Sequence, residues 1–567
     1  MIAFGQSWTA RHLAHGRAAA VLLAIAVILG AGFRAVIQTW SPVHSSDTFQ
    51  HLRVADSLLQ GRGFTSLGAE HPDTSRMVVF PCLIALIAAI TGNVEIAAHV
   101  VVVLGGALIV VPMFLLARSM FGPPAALATL PLGALGCVAG ASSRLLVTSV
   151  YVTLIIGTIA MGWYAARRRT LPPWLVAGLC VGAVSLLRPE GIAFPLVLSA
   201  WAVLPAGRPH RAARLGIVLA GSLLLYLPYV TWASARLGRF APWPGIEYIH
   251  AERRVSDHLG LRDLGSPVEW TMLARYMLTA DHGARYLETY FQTGSFPEPD
   301  PDLFNAADGS ASAVSSSPKS INWENLIRRR LFIVRGNLRR APWHAVWGHF
   351  LPRAVVLLGV AGVVAATRSP RRRAAFVLLA LMGIGSLAPL ASHVEDRFFY
   401  APFAIGIILA AAGWGDLAAL AARWRWPRIV QLGVHALIAA AIVTSGVRHE
   451  GYRLPAIARA GLLHDEAVDL RDKLPPGPVM AVSQHFPYWA GRLYRPIPVA
   501  SLEGVFDYAR SQGARTLVLE ADRDMEARPE LAWLLAPNRP AFLHVVRDVT
   551  RPHAGRLLVF EIEPEAR

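Results

Sequence analysis

Long apolar runs recur along most of this chain, with short clusters of arginines between them. Runs of roughly 20 apolar residues are long enough to cross a bilayer as helices. They occur at 18–40, 94–117, 123–142, 144–166, 172–187, 190–205, 213–235, 353–367, 374–391, 400–422 and 428–447. The pattern predicts a polytopic α-helical membrane protein with about eleven spans. Composition agrees: 54% of the 567 residues are hydrophobic and 16% are charged, where soluble chains carry about 25% charge. The net charge of +17 does not point to nucleic acid, because the arginines sit in short groups between apolar runs, as in the positive-inside pattern. Only Lys319 and Lys473 are lysines.

The arginine clusters set the expected topology. They are Arg11/Arg17, Arg118, Arg167–Arg169, Arg208/Arg211/Arg214, Arg368/Arg371–Arg373 and Arg423/Arg425/Arg428. All fall on one side if the short run 77–92, which contains Pro81, dips into the outer face without crossing. The N-terminus is then cytoplasmic, the first run is a retained anchor, and 41–93, 236–352 and 448–567 lie outside. The expected organisation is a transmembrane module over 1–235 with its first outer loop at 41–93, a long outer loop at 236–352, transmembrane helices over 353–447, and an outer domain at 448–567. In that last segment apolar strands at 479–483, 516–521, 542–546 and 557–563 alternate with helical stretches at 465–474 and 502–513. This reads as a small α/β domain. The cysteines, Cys82, Cys137 and Cys180, match no metal spacing and read as small buried apolar residues.

Four outer-face segments carry candidate chemistry. "HSSDTFQHLRVADSLLQGRGF" (44–64) places Asp47 ahead of an amphipathic helix in which Phe49, Leu52, Ala55 and Leu58–Leu59 recur at helical spacing. Ser46 or Asp47 can cap that helix. Asp47 can also serve as a general base where a hydroxyl acceptor from water meets a lipid-borne donor, and the two roles are compatible. "LLRPEG" (186–191) turns an apolar hairpin and sets Arg188 and Glu190 close to hydrocarbon, as an interfacial ion pair or as substrate contacts. "HVEDRFFYAP" (393–402) offers Arg397 to a phosphate in a forked pair, with Glu395 and Asp396 as competing partners. "EHPDTSRMVVFP" (70–81) adds His71, Asp73 and Arg76. His71 and Asp73 with Asp47 are too scattered for a dedicated metal site, so none is expected. No Walker loop, H-E-x-x-H or nucleophile elbow is present. The glycines of "GLCVGAVSLLRPEG" (178–191) suit helix packing.

In their order, these segments resemble the GT-C class of integral-membrane glycosyltransferases. The closest likeness is to the protein O-mannosyltransferase and aminoarabinose transferase group, which uses polyprenyl-phosphate sugars. The family pattern that begins with an acid after the first span reads here Asp47, His51, Ala55, Leu58 and Gly61. "SRMVVFPCLIAL" (75–86) is similar to the family's R-x-P-x-x-P stretch, with Val78 where a proline is common. "LLRPEG", "RFFYAP" and the tail "LPPGPVMAVSQHFPYWAG" are further landmarks. One departure is Ser149, which stands where members often carry an acid five residues after a Ser–Arg pair, here Ser143–Arg144.

The resemblance implies a GT-C-like bundle with outer-face juxtamembrane helices and a small extracytoplasmic α/β domain, in a bacterial inner membrane. It implies inverting transfer of a sugar from a polyprenyl-phosphate donor to a hydroxyl on a lipid, glycan or protein. Asp47 would be the catalytic base, and Arg397, Arg188, Glu190, His51, His71 and Arg76 would bind substrate. No cofactor is expected, with a divalent cation as a weakly supported addition, and no nucleic acid partner. Two rival readings are a lipid or solute transporter or flippase, and a transferase that moves a preassembled glycan from a diphosphate carrier. Against transport, no inverted repeat is found and the charges gather on one face.

Overall fold

The computed structural model describes residues 16–40, 46–65, 77–135, 145–168, 170–204, 210–238, 353–367, 369–386, 399–427, 454–498, 502–527, 529–536 and 539–563, with isolated positions between. In chain order the helices are α1 Gly16–Trp40, α2 Ser46–Leu59, α3 Val79–Thr91, α4 Val94–Ala107, α5 Val110–Met120, α6 Pro123–Leu135, α7 Thr148–Arg167, α8 Pro172–Ser185, α9 Ala193–Val203, α10 Arg211–Leu237, α11 Arg353–Ala366, α12 Pro370–Ser386, α13 Tyr400–Arg423 and α14 Leu454–Leu470. Strand β1 Val479–Ala481, helix α15 His485–Trp489, β2 Tyr494–Pro496, α16 Leu502–Ser511, β3 Thr516–Glu520, α17 Ala521–Ala527, β4 Leu543–Arg551 and β5 Gly555–Ile562 follow.

The chain divides into two compact units. The first holds α1 and α3 to α13 and is a helical bundle. Among the described residues, five helical stretches are long and apolar enough to cross a membrane: Gly16–Gln38, Val94–Met120, Thr148–Arg167, Arg211–Arg236 and Tyr400–Ala421. Of the other expected spans, Pro123–Leu135, Pro172–Ser185, Pro189–Val203 and Val355–Val364 are shorter apolar helices. Pro370–Ser386 has 17 residues, and 428–447 lies largely outside the described residues. The expected span 94–117 is interrupted at Leu108–Ile109 into α4 and α5.

The ambiguous run 77–92 forms α3, with 13 residues. At 1.5 Å per residue that is about 20 Å, short of the roughly 30 Å hydrocarbon core. Gly92, left-handed at φ 70°, ends α3 by donating its N–H to the Ala88 carbonyl at 2.8 Å. Asn93 then starts α4, its side chain accepting from the N–H groups of Glu95 and Ile96 at 2.9 and 3.0 Å. Cys82 and Cys180 are free thiols, the first exposed and the second half-buried. The expectation of buried cysteines is therefore corrected for Cys82, which is exposed on α3. Cys137 lies outside the described residues.

The second unit holds α2 and the C-terminal domain. Its five-stranded sheet has the order β2-β1-β3-β5-β4. Strands β2, β1 and β3 run parallel, while β5 is antiparallel to both β3 and β4. Every residue of β1 and β3 is buried, as expected where helices cover both faces of a parallel sheet. Leu517 and Leu519 of β3 pack with Phe560 of β5 and with Val505 and Ala509 of α16. The four strands read from sequence are present, and β2 and α15 are additions to them.

Candidate functional site

Asp47 lies in the first turn of α2 and is half-buried. A carboxylate is electrostatically favoured there, next to backbone N–H groups that have no partner within the helix. Of the apolar face read from the sequence, Phe49, Leu52 and Ala55 are each 0% exposed, whereas Leu58 is half-buried and Leu59 is exposed. Protein covers Phe49, so this part of the face does not lie open on the membrane surface. The Phe49 ring packs against His485, Tyr488 and Trp489 of the C-terminal domain, with centroids 4.9, 4.8 and 5.3 Å away. Arg53, one turn further on, donates from Nη2 to the Arg492 carbonyl at 3.0 Å and lies 5.9 Å from the Tyr488 ring. Burial holds Arg53 down at about 10, so it remains cationic at neutral pH. His51 is buried and follows Asp47 by four residues, which places the two on the same face of α2.

In the bundle unit, "LLRPEG" forms the corner between α8 and α9. Arg188 sits in extended backbone before a 3-10 turn over Pro189–Ile192. Its guanidinium forks onto Glu190, Nε to Oε2 at 3.1 Å and Nη2 to Oε1 at 3.0 Å. The pair is largely buried, at 10% and 13% side-chain exposure, and the guanidinium lies 5.5 Å from the centre of the Tyr151 ring. The corner is therefore a near-neutral, desolvated unit, and an anion approaching Arg188 meets a guanidinium already engaged by a carboxylate.

A second buried polar group escaped the sequence reading. Arg34, inside the first span, is 0% exposed. It donates from Nη1 to the carbonyls of Gly30 and Ala134 at 3.1 and 2.8 Å, and from Nη2 to that of Gly133 at 3.0 Å. One turn on, Gln38 donates to the Ser142 carbonyl at 2.8 Å, and its Oε1 lies 2.6 Å from Nδ1 of His99. Arg34 thus ties α1 to the C-terminal end of α6, whose carbonyls have no acceptor role left within their helix. The signal was present as a lone arginine in an apolar run, a residue that is costly there and has to be partnered.

Ser149, the family's frequent acid position, donates instead to the Val102 carbonyl at 3.1 Å and links α7 to α4. His71, Arg76 and Arg397 lie outside the described residues, as do Asp73, Glu395 and Asp396. Among the described residues no group of three or more His, Cys, Asp or Glu is placed to hold a metal ion.

Residues 70–232 match the sequence family described as dolichyl-phosphate-mannose-protein mannosyltransferase. The match starts after Asp47 and takes in the Arg188–Glu190 corner. The fold matches the oligosaccharyltransferase of Archaeoglobus fulgidus in its apo form, with a TM-score of 0.54 at 13% identity, covering 92% of this chain and 71% of that one. The fold is that of the GT-C glycosyltransferases. The same archaeal GT-C protein, in complex with an inhibitory peptide and a dolichol-phosphate, matches with a TM-score of 0.55 at 13% identity, covering 94% of this chain and 73% of that one. ArnT from Cupriavidus metallidurans bound to undecaprenyl phosphate aligns over 96% of this chain and 97% of its own, at 16% identity and a TM-score of 0.43. No curated protein matches by sequence. The matched family and the matched GT-C fold are both those of membrane glycosyltransferases, and the apolar helices make the chain an integral membrane protein.

Proposed function

We propose that the chain transfers a sugar from a polyprenyl monophosphate to a hydroxyl acceptor on the extracytoplasmic side of a bacterial inner membrane. The observation that carries this reading is the family match over 70–232, whose described members use a polyprenyl-phosphate-linked mannose. The fold supports a lipid carrier, since the archaeal neighbour was solved with dolichol-phosphate.

In the proposed step the acceptor hydroxyl oxygen attacks the anomeric carbon while Asp47 takes its proton. The bond from that carbon to the phosphate oxygen breaks, and polyprenyl phosphate leaves with the bonding electron pair. A single displacement inverts the anomeric centre. General-base assistance contributes about 10²–10⁴-fold, and the remainder comes from positioning and from cations facing the leaving phosphate. Arg397 is the first candidate for that charge and Arg188 the second. His51, on the Asp47 face of α2, together with Glu190, His71 and Arg76, completes the proposed substrate contacts. The arginine clusters support a cytoplasmic N-terminus and an external C-terminal domain.

The test is turnover by purified protein in lipid. It is offered polyprenyl-monophosphate sugars and polyprenyl-diphosphate oligosaccharides, with NMR of the product linkage. Release of polyprenyl monophosphate with an inverted linkage is expected. Turnover of the diphosphate donor alone would replace this reading with transfer of a preassembled glycan. Carrier movement between leaflets without bond cleavage would replace it with a flippase.

A further inference from the structure

The parallel strands of the C-terminal domain branch at β1. From β1 the chain passes to β2 on one side and returns to β3 on the other. That reversal is a topological switch point at the carboxyl ends of β1 and β3, the position where open α/β sheets usually take ligands. Side chains at this point are already committed to one another. Ser483 donates to Glu520 Oε1 at 3.0 Å, and Arg459 meets Glu520 Oε2 at 3.1 Å. His485 Nδ1 lies 3.1 Å from the Ser483 hydroxyl. Since that hydroxyl spends its proton on Glu520, the His485 Nδ1 carries the hydrogen.

Helix α15, which follows β1 here, receives Phe49 of α2 on His485, Tyr488 and Trp489. It is braced from behind. Arg471 of the C-terminal domain donates from Nη2 to the Trp489 carbonyl at 2.7 Å, and the His464 ring of α14 stands 5.3 Å from Trp489. The Arg492 carbonyl that accepts from Arg53 is fixed in turn, because Arg492 donates to the carbonyls of Arg471 and Leu474 at 3.2 and 3.0 Å. Phe49 and Arg53 are four residues apart and share one face of α2. Asp47 and Phe49 are two residues apart, about 200° around a helix of 3.6 residues per turn. Seating Phe49 in the cage therefore turns Asp47, with His51, away from the domain.

We propose that the C-terminal domain positions the catalytic helix. It clamps α2 through Phe49 and Arg53 on α15, and so fixes the direction in which the Asp47 carboxylate points. The proposal rests on the reading of Asp47 as the base. Phe49, Arg53, Tyr488 and Trp489 are positioning residues and touch no reacting atom.

The experiment uses the full-length protein in lipid, with Phe49→Ala, Trp489→Ala, the double variant and Phe49→Leu. Arg556→Ala, on the far hairpin of the same domain, is the control. Turnover per folded protein, donor affinity and amide exchange over residues 46–59 are measured together. Each single alanine variant is expected to lose about 10- to 100-fold in turnover, with donor affinity within about twofold and faster exchange over 46–59 while β3 and β5 stay protected. The double variant should lose no more than the worse single one, because both break the same contact. Phe49→Leu should recover most of the loss, and Arg556→Ala should match the parent. Loosened 46–59 exchange with turnover unchanged would overturn the positioning role. So would additive losses in the double variant, or unchanged 46–59 exchange in Phe49→Ala. If Asp47→Asn turns over normally, the base assignment fails, and exchange and coupling alone then judge the clamp.

Discussion

The bundle and the C-terminal domain hold their helices by opposite means. In the bundle, helices meet backbone to backbone. A Cβ on Gly362 of α11 would lie 1.9 Å from the Leu409 carbonyl of α13, and one on Gly413 of α13 would lie 2.1 Å from the Leu358 carbonyl. Gly178 and Gly182 of α8 face the Val218 and Ser222 carbonyls of α10 in the same way, at 2.5 and 2.7 Å. In the C-terminal domain, long charged side chains span the gap between α14 and β4. Arg547 meets Glu466 at 2.7 Å and also Asp469, while Arg551 meets Asp465 at 2.7 Å and Glu466 at 3.2 Å. The solvents explain the difference. Lipid gives helices no hydrophobic reason to associate, so close fit and small residues have to supply it. Water supplies a hydrophobic drive for the domain core, and surface ion pairs add only about 0–1 kcal/mol each.

The two regions should therefore fail under different insults. The largest effect is expected from Gly362→Val, which forces two methyls into the Leu409 backbone. Overpacking costs about 1–3 kcal/mol or more, and here the obstacle is main chain. The variant should lose most of its folded yield in detergent, read by size-exclusion and thermal melting. Gly359→Val, on the same helix with open space around its Cβ position, should melt like the parent. Equal melting of the two variants would contradict backbone contact as the basis of bundle packing.

Sidedness sharpens the contrast further. With Cys82 replaced by Ala to remove the exposed thiol, Thr91→Cys at the tip of α3 and the native amine of Lys473 in the domain should both react with impermeant reagents from the extracytoplasmic side. Thr91 is the better site because Asn93 caps α4. Reaction of both from the cytoplasmic side alone would mean that 77–92 crosses and would reverse the proposed topology.

Acid gives the smallest effect, confined to the domain. The hydrogen bond from Arg551 holds Asp465 below the usual carboxylate range, that from Lys473 does so for Asp469, and that from Arg556 for Asp548. A depressed carboxylate contributes stability that is complete above its unfolded value, about 3.9, and lost as pH falls through its folded value. Domain melting should hold steady from pH 7 to about 5 and decline below about 4, while the bundle is unaffected by these groups. A decline beginning near pH 6 would assign the loss to other groups.

Much of this was legible in the sequence, for identifiable reasons. Apolar runs and arginine clusters marked the helices, because a span has to satisfy every backbone group internally. The glycines of 178–191 read correctly as packing residues. The alternation in the tail marked four strands, but β2 is the tripeptide Tyr494–Pro496 with no apolar alternation, and α15 has only five residues, too few to show a helical period. The interruption at Leu108–Ile109 follows Gly105–Gly106 and precedes Pro112, which has no N–H to offer the Leu108 carbonyl. Arg34 was visible as a residue, but its acceptors on α6 lie about 100 positions away. The apolar face of α2 was read correctly as far as Ala55, with Leu58 half-buried and Leu59 exposed, yet what covers Phe49 comes from more than 430 residues later in the chain. Periodicity shows that a face is buried and is silent on its partner.

The central claim is that the carboxylate of Asp47, held in the first turn of a docked helix, removes the acceptor proton. Asp47→Asn tests it most directly, because asparagine matches aspartate as a helix cap and in size while it cannot accept the proton. The measurement is turnover of the purified variant in lipid at saturating donor, beside its melting temperature and donor affinity. The account predicts turnover reduced about 10²–10⁴-fold with melting and donor binding unchanged. Turnover equal to the parent's would contradict it and leave Asp47 a helix cap.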